Sequence, residues 1–117
     1  MLDVHPEPRH SRVEVHSGSR ISDVGRLDES EFLPDINAAE KVLGAAIAAK
    51  RFALEAEKRF DFLYHFNTVD EYKAFLVDEE WGTLEPEVES RARKLLTAEG
   101  GELVMREPVW AGRLKRI

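Results

Sequence analysis

Hydrophobic and polar positions alternate most persistently between Phe52 and Phe66. Phe52, Leu54, Ala56, Lys58, Phe60, Phe62, Tyr64 and Phe66 are separated by mostly polar residues, the period of two that a strand requires. Ala53 to Arg59 are strong helix formers, and Phe52, Ala56 and Phe60 also fit helical spacing, so two signals compete there. The length of the alternation decides for a strand, most firmly over 59–66. A shorter alternation, Arg12-Val13-Glu14-Val15-His16, leads through Ser17-Gly18-Ser19 into Arg20 to Leu27, which predicts a hairpin over 12–27. Leu2 to His5 predict a short strand that Pro6 and Pro8 bring to a stop. Near the other end, Glu102 to Arg106 and Val109 to Arg116 predict one strand over 102–116, broken by a bulge at Pro108.

Helical spacing takes over in three places. Ile36, Ala39, Leu43, Ala46 and Ile47 fall on one face, with Asp35 or Asn37 as the cap and Asn37 and Glu40 at capping-box spacing. Gly44 inside this helix costs about 1 kcal/mol relative to Ala and implies a close neighbour. Thr68-Val69-Asp70-Glu71 is a second capping box, followed by the stripe Val69, Tyr72, Phe75 and Leu76. Pro86 suits a first helical position, Val88, Ala92, Leu95 and Leu96 form the apolar face, and Gly100-Gly101 end the helix. These elements predict a single α+β domain over 1–117, a small mixed sheet packed with about three helices. Residues 1–35 form its strand and hairpin region, and 36–117 a helix-strand-helix-helix-strand region.

Composition narrows the possible functions. A chain of 117 residues buries one modest core. The formal net charge of −6 argues against nucleic acid, because phosphate neutralisation needs a basic face. The basic stretch Arg113-Leu114-Lys115-Arg116 is read as a solvated tail. No apolar run approaches the roughly 20 residues of a membrane span, and the first residues lack a signal peptide's basic start and apolar run. Without cysteine there are no disulfides, zinc-thiolate sites or cysteine nucleophiles, which fits a reducing, cytoplasmic setting.

The candidate chemistry is sparse. His5, His10 and His16 with Glu7 come nearest to a metal-ligand set, but HExxH spacing is absent, and solvent-facing loop histidines account for them; no metal is assigned. Tyr64-His65-Phe66 ends the long strand just before a helix, where α/β folds place ligand contacts. Alternation alone explains it and is the preferred reading, with Tyr64 and Phe66 in the core and His65 outside. Asp28, Glu29, Glu31 and Asp35 form an acidic stretch, and paired carboxylates do acid–base work only when burial shifts a pKa. Here they are expected to solvate a loop whose buried residues are Phe32 and Leu33. The seven glycines make neither GxGxxG nor a P-loop, and there is no GxSxG elbow.

Several phrases carry a resemblance. Leu2-Asp3-Val4-His5-Pro6, Val24-Gly25-Arg26-Leu27-Asp28, Phe60 to Phe66, Val69-Asp70-Glu71-Tyr72, Arg106-Glu107-Pro108-Val109 and the basic finish together look like the last part of bacterial class I S-adenosylmethionine-dependent methyltransferases. The resemblance covers nearly the whole chain, with moderately specific phrases and no catalytic signature. It implies that the chain supplies the fifth, sixth and seventh strands of a seven-stranded sheet, the seventh antiparallel and inserted between the fifth and sixth. It also implies that the glycine-rich cofactor loop and the acidic residue on the cofactor ribose belong to an N-terminal half outside this sequence. The chain alone would then bind no cofactor and would not be catalytically competent. Substrate-side candidates are His5, Glu7, His16, Tyr64 and His65, and the implied partner is a second copy or the N-terminal half. Two alternatives stand beside this: a non-catalytic binding or dimerisation module, and a small unrelated enzyme assembled from His5, Glu7, His16 and His65.

Overall fold

A computed structural model describes residues 1–31 and 33–117. In chain order the elements are β1 (Leu2–Pro6), β2 (Arg12–Ser17), β3 (Arg20–Arg26), α1 (Leu33–Ala48), β4 (Phe52–Phe66), α2 (Val69–Asp78), α3 (Pro86–Glu99) and β5 (Glu102–Arg116). The fold is α+β, with a five-stranded sheet and three helices. No helix among the described residues is long and apolar enough to cross a membrane.

β5 is the axis of the sheet. On one side β4 follows it from Phe66↔Leu103 to Phe52↔Arg116. On the other side β2 pairs with residues 102–106 and β1 with 109–113, the two lying end to end, and β3 flanks β2. Every pairing is antiparallel, so the expected mixed sheet is corrected. β1 and β2 run the same way, but they share β5 as a neighbour instead of pairing with each other, and no parallel ladder arises.

The long alternation is strand throughout, Phe52 to Phe66, including the stretch of helix formers. Pairing along the whole of β5 overrides local propensity there. The expected bulge at Pro108 is absent: Pro108 sits opposite Asp61 within a continuous ladder, and the β4–β5 register shifts between Leu54 and Ala56 instead. The carbonyl of Pro108 accepts from the Glu7 N–H at 2.9 Å, toward the gap between β1 and β2. A strand residue's N–H and C=O point to the same side, so the donor that proline lacks would have faced that gap and no ladder bond to β4 is lost.

Thr68 caps α2 as its sequence implies, its Oγ1 accepting from the Glu71 N–H at 3.1 Å, while Glu71 reaches back to the Asn67 N–H at 3.0 Å. Pro86 opens α3, and Gly100 closes it at φ 71°. α1 differs from its expectation. It starts at Leu33, which puts Asp35 and Asn37 inside the first turns and not at the cap. Ile36, Leu43, Ala46 and Ile47 are only half-buried, Ala39 is exposed, and no residue of α1 is buried. A Cβ on Gly44 would meet nothing within 4 Å, so the close neighbour is absent. Leu33 is half-buried, and Phe32 lies outside the described residues.

The core lies where α2 and α3 cover one face of the sheet. Val13 and Val15 of β2 and Leu103 and Met105 of β5 point into it by period-two alternation, against Tyr72, Leu76, Val88 and Ala92. Gly25, at φ 140°, lets β3 approach α3 so closely that a Cβ would stand 2.6 Å from Val88. Farther along the same face the helices stop, and Leu2, Val4, Phe60 and Phe62 are exposed. The radius of gyration is accordingly 17.1 Å, against roughly 13 Å for a compact chain of this length.

Candidate carboxylate cleft

Where the packed end gives way to the bare one, two glutamates are buried. Glu107 follows Leu103 and Met105 at period two, so the register that sends those side chains into the core carries an acid to the core's margin. Glu29 arrives from the segment after β3. That segment is pinned by the Leu27 N–H to the Ser11 carbonyl at 2.8 Å and by reciprocal bonds between Asp28 and Thr83 at 2.8 and 2.9 Å. Glu29 accepts from the Ser11 N–H through one oxygen and from the Trp81 indole Nε1–H, at 2.6 Å, through the other. Trp81 is held just beyond α2 by its own N–H on the Leu76 carbonyl at 2.9 Å.

The two carboxylates are not equivalent. Glu29 is 8% exposed with both oxygens engaged, whereas Glu107 is 7% exposed and its Oε2 has no hydrogen-bond partner among the described residues. Burial pushes the Glu107 carboxyl up to about 7, the negative charge of Glu29 adds to the rise, and the Tyr64 hydroxyl opposes it weakly. The Tyr64 phenol is itself raised, by burial and then by the charge of Glu107. The Tyr72 hydroxyl is buried and unpartnered, and its ionisation is pushed far up by burial and the charge of Glu29.

These carboxylates open into a cleft of about 290 Å³ lined by Pro6, Ile36 and Trp81, the buried Glu29 and Glu107, and the exposed Asp35, Glu79 and Glu80. None of the described lining residues is basic. A carboxyl that titrates near neutrality beside an apolar wall can take up or release a proton, and its ionised form attracts a cation.

The residues singled out from sequence lie mostly elsewhere. Tyr64 adjoins Glu107 and stands 5.7 Å, ring centre to ring centre, from Trp81. His5 stacks on Trp110 at 4.9 Å, with Nδ1 3.2 Å from Asp3 and Nε2 3.5 Å from Glu40. Glu7 is buried beside Arg59 at 2.8 Å. His16 pairs with Glu14 at 2.8 Å and His65 with Glu102 at 2.9 Å, the two rings meeting edge-on at 6.4 Å. The structure therefore does not bring His5, Glu7, His16 and His65 into one site. Among the described residues no group of three or more histidine or acidic side chains is arranged to hold a metal ion.

Glu29 corrects the reading of the acidic stretch as a solvated loop, because two donors hold it inside. Its signal was weak, an acid two residues past a buried leucine. Glu107 has a clearer one, being an acid in step with the apolar register of its strand, although it is not among the residues singled out from sequence. Set against family models, curated proteins and solved structures, the chain matches none of them.

Proposed function

We propose that this chain is the substrate-side, C-terminal part of a class I S-adenosylmethionine-dependent methyltransferase fold, without catalytic competence of its own. The observation that carries the reading is the order β1–β5–β4, with the central strand antiparallel to both neighbours. This is the order implied for the fifth, seventh and sixth strands of that fold. The outer edge of β1 supports it too. β1 pairs with β5 alone, and Leu2 and Val4 are 71% and 53% exposed beside that edge. An N-terminal half carrying the glycine-rich cofactor loop would add its strand there. No residue of this chain carries a cofactor role in this reading, since its glycines form no phosphate cradle.

Calorimetry with S-adenosylmethionine tests the reading. The chain alone should bind no tighter than about millimolar, the usual limit for a ligand without a built site. A co-expressed upstream segment containing a glycine-rich strand-turn-helix unit should form a one-to-one complex with it and bring the cofactor's binding to the micromolar range. Micromolar binding by the chain alone, or no complex with such a segment, overturns the proposal.

A second reading, a non-catalytic homodimerisation module, is favoured by the other edge of the sheet. Among the described residues β4 pairs with β5 only, leaving the outer edge of a 15-residue strand without a paired strand beside Phe60 and Phe62. Light scattering that finds a dimer undisturbed by the N-terminal half would favour this module.

A further inference from the structure

We propose that the cleft between Glu29, Glu107 and Trp81 binds a small organic amine in its protonated form, an ammonium group on a compact apolar body. This rests on the cleft alone and not on the methyltransferase reading.

Three observations converge. First, Glu107 is more than nine-tenths buried, it lines the cleft, and its Oε2 has no donor among the described residues. A buried carboxylate oxygen without a partner costs free energy that a ligand N–H would recover. Second, five carboxylates and no basic side chain line the described cleft, so its field selects positive charge. Neutral donors such as alcohols would satisfy Oε2 but gain nothing from that field. Third, Pro6, Ile36 and Trp81 supply apolar lining, and an indole can attract a cation through its face. A cleft of about 290 Å³ has the size of a small-molecule site and is too small for a folded segment. An ammonium seated between Glu29 and Glu107 would also relieve the repulsion between them.

The two tryptophans provide a readout with its own control. The Trp81 indole N–H bonds Glu29 inside the cleft, and the Trp110 indole N–H bonds Glu57 at 2.8 Å elsewhere on the sheet. In a nitrogen–proton correlation spectrum, benzylammonium chloride should shift the Trp81 indole signal in a saturable way and leave that of Trp110 in place. Benzyl alcohol, the neutral isostere, should bind at least about tenfold more weakly. Glu107→Gln should cost about tenfold in benzylammonium affinity, and Glu79→Gln with Glu80→Gln, at exposed positions, about twofold to threefold. Equal affinity for the amine and the alcohol, or unchanged amine affinity in the rim double variant, overturns the proposal. So does a shift of both indole signals together.

Discussion

The two halves of β5 share one strand and one alternation, yet they live in different surroundings. Leu103 and Met105 are fully buried under α2 and α3. Past Pro108, Val109 remains buried, but its neighbours on that face, Phe60 and Phe62, are 36% and 50% exposed. The thin half obtains burial from within the sheet: Trp110 lies over Gly112, where any Cβ would collide with the indole, and His5 stacks on the same ring. Alternation thus decides which way a side chain points, while a stacked layer decides whether that direction is dry. α1, with no buried residue, is a layer that has not closed.

The contrast can be broken by substitution at matched positions. Leu103→Ala should have the largest effect, about 2–5 kcal/mol of lost stability in urea unfolding. A loss below about 1 kcal/mol would mean that the packed end is not the source of stability.

Glu107→Gln tests the boundary between the halves, and its effect depends on pH. Burial raises this carboxyl from 4.5 to about 7. Below the lower value folded and unfolded chains are both protonated, and no penalty exists. Between the two values the unfolded chain gives up its proton first, so stability falls as pH rises, and the loss is complete above the higher value. The groups facing Glu107 are Glu29, Tyr64, Asp35, Glu79 and Glu80, of which Glu29 adds to the rise that burial causes and the Tyr64 hydroxyl opposes it. The variant should gain up to about 3 kcal/mol over the parent near pH 8 and nothing near pH 4. Parallel melting curves across that range would show Glu107 to be solvated like any surface acid.

Phe62→Ala should have the smallest effect, under about 1 kcal/mol, because half of the ring is already in water. A loss as large as that at Leu103 would show that the thin half is covered in solution, by a second copy or another chain.

Much of this architecture could be read from residue order. The Thr68 capping box, the Pro86 start and the Gly100 stop are local chemistry, and they stand where the sequence puts them. β4 was legible because fifteen residues of alternation outweigh seven helix formers. The start of α1 at Leu33 departs from the local capping signal at Asp35 and Asn37, and the other differences lie in long-range relations. Nothing local shows that Pro108 faces a gap between two collinear strands, or that the partner of Gly44 is missing. The site was less legible than the fold. Glu29 and Glu107 lie 78 positions apart in sequence, and only the stacking of the β3–α1 segment beside β5 makes them neighbours.

The position of β5 in the sequence also sets the timing of folding. β2 and β3 are joined by a two-residue turn and can pair as soon as both exist, although a lone hairpin is marginal. Among the described residues β1 and β4 pair with no strand except β5, and Leu2 waits for Arg113. At roughly 5–20 residues per second, that interval lasts roughly 5–20 s on the ribosome. Throughout it Leu2 and Val4 are available to any other strand edge, and the aromatic run from Phe60 to Phe66 joins them from its own synthesis until Leu103 to Val109 are made. A nascent chain halted before Glu102 would have a hairpin and helices but no β5 to join them into one sheet.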